Sequence, residues 1–155
     1  MNLVEIGTAL AAGTSLFTLG MAFGQQAAGH KRINAPDMPL RPGAPYSQGV
    51  MAGDLLYVSG NIGQDPASGK LAEAFADEAK QSLANLGKVL TAAGLGWEDV
   101  VKVNVFVKEM ARYEEFNKVY VAALPAPLPA RTFLAVADIP GGGQVEIEAV
   151  AVRRR

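Results

Sequence analysis

The sequence predicts one α+β domain, in which two helices lie on the same face of a mixed β-sheet. Its 155 residues suit a single domain with a sizeable core. Two long stretches carry apolar residues at three- and four-residue spacing, whereas shorter stretches alternate between apolar and polar residues or are continuously apolar. The resulting order is strand, strand, helix, strand, helix, strand, strand, and strands interrupted by two helices are typical of α+β proteins.

The N-terminal segment, residues 1–29, differs in composition from the remainder. Glu5 is the only charged residue before His30, and small residues at Ala22 and Gly24 form a site of the signal-peptidase type. We therefore expect a secretory signal peptide and an exported protein, periplasmic or secreted. An uncleaved anchor and a mispredicted start of a cytoplasmic protein remain open. In all three interpretations residues 30–155 form the functional domain, and His30 at the junction has no role.

The first strands follow this segment. A proline-rich loop precedes Tyr46, and Arg32 to Asn34 predicts a short edge strand within it. Ser47 to Met51 and Leu55 to Ser59 predict a hairpin. Asp65-Pro66-Ala67-Ser68-Gly69 then predicts a turn.

The longer helix is predicted over Ala72 to Ala93, and Gly94 ends it as a C-terminal cap. Helical spacing places its apolar residues in one stripe, which we expect to face the core. The stripe consists of Phe75, Ala79, Leu83, Leu86 and Leu90.

A strand and a second helix come next. Val100 to Val107 predicts a strand with its odd-numbered valines on one face, namely Val101, Val103, Val105 and Val107. Met110 to Ala123 predicts a helix that ends before three prolines. We expect its inward residues to be Tyr113, Phe116, Tyr120 and Ala123.

The last two strands are predicted as a hairpin around the glycine-rich turn at Gly141 to Gly143. Arg131 lies near the start of the first strand, and Glu146 and Glu148 alternate with apolar residues in the second. A charge in an apolar strand needs a partner. Two interpretations compete: an internal ion pair with Glu146 or Glu148, which this hairpin alone favours, or a cleft in which Arg131 binds the carboxylate of a ligand.

The composition excludes several kinds of chemistry. The absence of cysteine excludes thiolate nucleophiles and Cys-based metal sites. The one histidine, His30, argues against a His-dependent triad or a His-rich metal centre. Its net charge of −1 offers no basic field for nucleic acid. Any chemistry must use carboxylates, Tyr, Lys, Arg, backbone groups or water.

Several separate segments from about Arg32 to the C-terminus form a recognisable set. They are Ala44–Gly49, Leu56–Ile62, Asp65–Gly69, Val101–Val107, Phe116–Tyr120, Pro129–Phe133 and Val145–Ala149. In this order they resemble the Rid family, the YjgF-like reactive intermediate deaminases. A resemblance spread over many segments is far more specific than one short motif.

This resemblance implies a chorismate-mutase-like fold and a homotrimer whose sheets enclose a central barrel, with clefts between subunits. It also implies hydrolysis of 2-imino acids to 2-oxo acids and ammonia, without a metal or organic cofactor. The expected partners are a small imino acid or carboxylate and two further copies of the chain. We expect no nucleic acid, and no stable membrane partner beyond the N-terminal segment.

The resemblance assigns a role to each of six residues. Arg131 stands where the family binds the substrate carboxylate, and Glu146 matches the carboxylate near the attacking water. We expect Glu148, on the same face as Glu146, to make a structural ion pair. The remaining positions match residues that line the ligand cleft, where each also has a purely structural interpretation: Tyr46, Ser59, Gly60 and Asn117.

The sequence also departs from the family. Phe133 stands where the family often has cysteine, and the segment Gly60-Asn61-Ile62-Gly63 replaces the common Gly-Gln-Ile-Pro. Substrate preference is therefore left open. Three other functions compete with deamination: a trimer that binds small carboxylates without turnover, an endoribonuclease, and a chorismate-mutase-like enzyme.

Overall fold

The computed structural model describes residues 29–40 and 42–154. Within them the predicted α+β fold is confirmed, with two helices and one six-stranded mixed sheet. The predicted N-terminal signal segment falls almost wholly outside the described residues. The helices and strands are β1 (Lys31–Ile33), β2 (Gly49–Ala52), β3 (Leu55–Ile62), α1 (Phe75–Ala92), β4 (Val100–Val107), α2 (Tyr113–Ala123), β5 (Ala130–Ala135) and β6 (Val145–Val152).

The strand order in the sheet is β1-β2-β3-β6-β4-β5. The β4–β5 pair is parallel and the other pairs are antiparallel. Strand β1 is an edge strand, as predicted, and β2 and β3 form the predicted hairpin around Gly53, whose φ is 62°. Only glycine adopts this left-handed conformation without steric cost.

The predicted hairpin of β5 and β6 is wrong. Strand β6 lies between β3 and β4, whereas β5 lies beyond β4 at the edge of the sheet. The physical reason is the helix α2 between β4 and β5. A strand–helix–strand unit returns the chain in the same direction, which makes β4 and β5 parallel neighbours. The central place of β6 agrees with its burial, since alternate residues from Val145 to Ala151 are almost fully buried.

The core lies between the sheet and the two helices. The predicted α1 stripe is confirmed, since Phe75, Ala79, Leu83, Leu86 and Leu90 are all buried. Gly94 ends the helix with a φ of 73°, as its capping role requires. Among the residues that the structure describes, no helix has the length and apolar character needed to span a membrane.

A buried carboxylate joins α1 to the start of β6. Glu78 is 1% exposed, and it accepts hydrogen bonds from the backbone N–H of Gln144 (2.6 Å) and of Val145 (3.3 Å). The Gln144 side chain donates a third bond, to Oε2, at 3.0 Å. These bonds satisfy the buried acceptor and fix the residues that precede Glu146.

Two inward-facing predictions need correction. Val101 is 47% exposed because the pairing of β4 with β6 shifts between Val100 and Lys102, which takes Val101 out of the alternation. In α2, Phe116 and Tyr120 are buried as predicted, but Tyr113 is 39% exposed and Ala123 is exposed. Both lie at the ends of the helix, where less of the sheet covers it.

Candidate active site

Arg131 faces the helices. In the parallel β4–β5 pair it lies level with Val103, which is fully buried under the helix layer. Its guanidinium reaches α2, where Nη2 donates to Asn117 Oδ1 at 2.7 Å and to the Tyr113 hydroxyl at 3.5 Å. Tyr113 and Asn117 are four residues apart on α2 and therefore point to the same side.

Four aromatic rings surround the Arg131 guanidinium. Their centroids lie 4.8–5.8 Å from Cζ, within the range of cation–π attraction, and belong to Tyr113, Phe116, Tyr120 and Phe133. No carboxylate within the described part of the chain comes within 4.0 Å of this guanidinium. This contradicts the interpretation in which Arg131 forms an internal ion pair with Glu146 or Glu148, the alternative to the predicted role in binding a carboxylate. The charge is held by ring faces and one amide oxygen.

Phe133 belongs to this aromatic wall. Its ring meets Tyr113 edge-on at 5.0 Å and an angle of 88°, and it lies 5.4 Å from the ring of Phe116. Tyr120, beneath the guanidinium, is 2% exposed, and its hydroxyl has no hydrogen-bond partner among the described residues. Burial raises the pKa of Tyr120, an effect that the charge of Arg131 partly opposes.

Glu146 lies on the other face of the sheet. Its carboxylate packs directly over the backbone of Gly60, where a Cβ atom would overlap it. The pairing of β3 with β6 shifts between Val58 and Asn61, so Gly60 lies in an irregular part of the strand. Glycine is therefore required at position 60 because the Glu146 carboxylate lies close to its backbone, and not because of its backbone dihedral angles.

Glu148 is the carboxylate nearest to Glu146 along the strand. Desolvation raises the pKa of Glu146 above its ordinary value, and the charge of Glu148 raises it further. Asn104 Nδ2 donates to Glu148 Oε1 at 2.7 Å. Among the described residues no Lys or Arg nitrogen lies within 4.0 Å of Glu148, so the predicted ion pair is not found there, and its partner is an uncharged amide.

The cleft residues near β3 are placed as follows. Ser59 Oγ donates to the backbone carbonyl of Ser47 at 2.7 Å, so its hydroxyl ties the start of the hairpin together. Tyr46 is 52% exposed, next to Ser47 in the chain. Its exposure contradicts the alternative in which Tyr46 is a core aromatic residue.

The structure divides the predicted site into two groups. The arginine half-site comprises Arg131, Asn117 and the four rings. The carboxylate half-site, on the opposite face, comprises Glu146, Glu148, Asn104 and Gly60. The strand register shows this division. Arg131 is level with Val103 and Ala149, which face the helices. Glu146 is three residues, an odd number, from Ala149 in the same strand, so its side chain points to the opposite face. Strand β4 also separates β5 from β6, which places them about 10 Å apart.

Sequence reasoning missed the contributions of four residues. Tyr113, Phe116 and Tyr120 were assigned to the core alone, although their spacing with Asn117 already indicated a shared helix face. Asn104 carried no signal, since its partner Glu148 is distant in sequence and the pairing of β4 with β6 was not predicted. Across the described residues, no group of three or more His, Cys, Asp or Glu side chains is arranged to hold a metal ion.

Comparisons with known proteins show the family of the chain and its fold. A family model described as endoribonuclease L-PSP matches residues 36–153. A 2-iminobutanoate/2-iminopropanoate deaminase of Bos taurus is 44% identical over 124 residues, which cover 79% of this chain and 90% of that protein.

Solved structures are also similar. The yjgF gene product of E. coli is 39% identical, with a TM-score of 0.75 over 80% of this chain and 99% of that one. E. coli TdcF with bound serine is 33% identical, with a TM-score of 0.74 over 80% of this chain and 99% of that one.

Proposed function

The chain belongs to the endoribonuclease L-PSP family, which includes the YjgF and Rid proteins, and we propose that it is an imine deaminase. It hydrolyses reactive 2-imino acids, or their enamine tautomers, to 2-oxo acids and ammonia. The relatives named 2-iminobutanoate/2-iminopropanoate deaminase support this activity. The reaction as proposed uses no metal and no organic cofactor.

The observation that carries the proposal is the environment of the Arg131 guanidinium. Its half-buried guanidinium has no carboxylate within 4.0 Å among the residues described, and it makes its two hydrogen bonds through Nη2 alone. The N–H of Nη2 that makes only the 3.5 Å contact with Tyr113, together with the adjacent N–H of Nη1 or Nε, is left to bind a small carboxylate. Hydrogen bonds to a charged group contribute on the order of 1.5–3 kcal/mol each. TdcF, which binds serine, is a neighbour that takes a small molecule with a carboxylate group.

Glu146 supplies the proton transfers. The substrate is the protonated imine. Glu146 removes a proton from water as the water oxygen bonds to the C=N carbon, and the nitrogen takes up the electron pair of the broken π bond, which gives a carbinolamine. Glu146 then returns the proton to the nitrogen. As the C–N bond breaks and ammonia leaves, the hydroxyl gives its proton to Glu146 and becomes the C=O of the 2-oxo acid, and ammonia takes this proton away as ammonium. Proton transfer of this kind contributes about 10²–10⁴-fold. Burial and the charge of Glu148 raise the pKa of Glu146, which suits a group that both accepts and donates a proton.

The two half-sites require two copies of the chain. Arg131 and Glu146 lie on opposite faces of one sheet, so one protomer cannot present both to the same small substrate. We propose that Arg131 of one protomer faces Glu146 of another in a homotrimer of the chorismate-mutase-like kind. The sheet face away from the helices supports this assembly, because it exposes Tyr57 and Leu134 at 50% and 49%.

The other cleft residues complete the proposed site. Tyr46, exposed beside the hairpin, covers the ligand from the cleft wall, and Asn117 orients Arg131. The backbone of Ser59 and Gly60 contacts the ligand next to Glu146. In this role the hydroxyl of Ser59 positions the strand, since it is already bonded to Ser47.

For the N-terminal segment we keep the proposal of export. Residues 1–29 direct the chain to the periplasm or outside the cell, and residues 30–155 form the deaminase domain. Mass spectrometry of the mature N-terminus tests this directly. A product that starts near residue 25 supports the proposal, whereas a full-length cytoplasmic product contradicts it.

The test of the proposed function is competition for imines made in situ by an amino-acid oxidase. Semicarbazide traps these imines, and the purified protein should lower the rate of trapping. Arg131→Ala should abolish the effect, whereas Arg154→Ala, at a mostly exposed arginine paired with Asp99, should leave it unchanged. An unchanged trapping rate with folded wild-type protein would contradict the proposal.

The Glu146→Gln variant separates catalysis from binding. An imine deaminase should lose turnover in this variant while it retains affinity for 2-oxo acids. If wild-type protein binds 2-oxo acids but never accelerates hydrolysis, the chain is the carboxylate-binding trimer instead. An endoribonuclease is disfavoured by the net charge of −1.

A further inference from the structure

The packing contacts of Tyr113 are made by its ring, and its hydroxyl adds none to them. The ring makes the edge-on contact with Phe133 and lies 5.6 Å from Cζ of Arg131, and both contacts belong to the aromatic carbons. The hydroxyl itself meets Arg131 Nη2 at 3.5 Å, the outer limit of a hydrogen bond. It is held only loosely, and Tyr113 is 39% exposed.

The two partners of Nη2 differ in strength and in chemistry. Asn117 Oδ1 takes one N–H at 2.7 Å and can only accept. The second N–H is directed to the hydroxyl of Tyr113, which can both accept and donate. A carboxylate that takes this second N–H displaces the long bond, and one of its oxygens then lies beside the freed hydroxyl.

We infer that Tyr113 is a further substrate-binding residue, which donates a hydrogen bond to the carboxylate held by Arg131. In the free protein its hydroxyl accepts weakly from Nη2, and in the complex it turns to the ligand. The ligand class is a small 2-imino or 2-oxo acid, whose carboxylate adjoins a planar carbon. This inference rests on the proposed function, because it places the substrate carboxylate at Arg131.

The inference predicts discrimination between a carboxylate and its neutral amide. Tyr113→Phe keeps the ring and its contacts and removes only the hydroxyl. The Kd for 2-oxobutanoate, measured by titration calorimetry, should rise about tenfold, as expected for one lost hydrogen bond to a charged group. The Kd for 2-oxobutanamide should stay within about twofold. In turnover assays KM should rise by a similar factor, with kcat nearly unchanged.

The control is Thr91→Val, which also removes one hydroxyl, because Thr91 is exposed on α1 and its hydroxyl donates only to the backbone carbonyl of Gly87 at 3.0 Å. It should bind both ligands as the wild type does. Equal weakening of acid and amide by Tyr113→Phe would show a structural role and overturn the inference, as would unchanged binding of the acid. Failure of the wild type to bind 2-oxobutanoate would overturn it too. Binding without imine hydrolysis by the wild type would overturn only the proposed deaminase activity.

Discussion

The arginine half-site and the carboxylate half-site treat charge in opposite ways. Arg131 is a cation without an anionic neighbour within 4.0 Å among the residues described, and four aromatic ring faces and one amide oxygen stabilise it. Glu146 is an anion beside another anion, and both burial and Glu148 disfavour its charged form. The arginine half-site therefore stabilises a permanent positive charge in a fixed position. The carboxylate half-site disfavours the charged form of Glu146 and so favours its protonation.

The difference separates binding from proton transfer. Arginine holds its proton at any ordinary pH, so the arginine half-site can only bind and orient an anion. A carboxylate with a raised pKa can accept a proton and return it. Each half-site lacks what the other supplies, and each lies on its own face of the sheet.

Gly60→Ala is expected to have the largest effect, and it tests whether the two half-sites have separate roles. A Cβ at this position overlaps the Glu146 carboxylate, which must move away from the reacting carbon. We expect kcat to fall about 10²-fold or more, since the proton shuttle is displaced. The Kd for 2-oxo acids should rise by a smaller factor, because Arg131 still binds the carboxylate and only the ligand contact at residue 60 is disturbed.

The control for this variant is Gly87→Ala. Gly87 lies in α1, and a Cβ there would make an ordinary contact with Trp97 at 3.4 Å. It should keep both kcat and affinity. If Gly60→Ala turns over substrate at the wild-type rate, the position of Glu146 over Gly60 is not needed for catalysis.

A smaller effect is expected from Glu148→Gln, which removes the charge beside Glu146. The glutamine oxygen can still accept the bond from Asn104, so the strand pairing is retained. Glu148 raises the pKa of Glu146, so its removal lowers that pKa. Glu146 acts as a base only when ionised. The acid limb of the kcat/KM profile should therefore move to lower pH.

The pH profile of Glu115→Gln provides the comparison, because Glu115 pairs with Arg112 on the exposed side of α2. Its acid limb should coincide with that of the wild type. An acid limb that stays in place in Glu148→Gln would mean that Glu146 is not the group that titrates in the free enzyme.

Much of the fold could be predicted because local patterns determine it. The bounds of β4 were predicted as Val100 to Val107, and the α1 stripe from Phe75 to Leu90 is buried throughout. The pairing of β5 was missed because adjacency in sequence was taken for adjacency in the sheet. Residues 136–144 between the two strands form a longer connection than the two to five residues usual in hairpins. That length, and the helix before β5, already favoured the parallel arrangement.

The sequence could predict the residues of the candidate site, but not their division into two half-sites on opposite faces of the sheet. Arg131 and Glu146 carry the chemistry, but the face on which each lies depends on the register of β5 with β4 and of β4 with β6. Neither register can be read from one sequence, since both pairings are non-local. Arg131 and the partly buried Phe133 are two residues apart in β5 and therefore point to the same face of the sheet. This spacing was the available signal that Arg131 faces the helices.

The central claim, that each site is shared by two protomers, is tested most directly by complementation. Arg131→Ala and Glu146→Gln should each be inactive alone. When the two variants are unfolded together in equal amounts and refolded as mixed oligomers, about a quarter of the wild-type activity should return, because one interface in four then joins an intact Arg131 to an intact Glu146. Mixed oligomers that form, as shown by native mass spectrometry, and yet remain inactive would contradict the account.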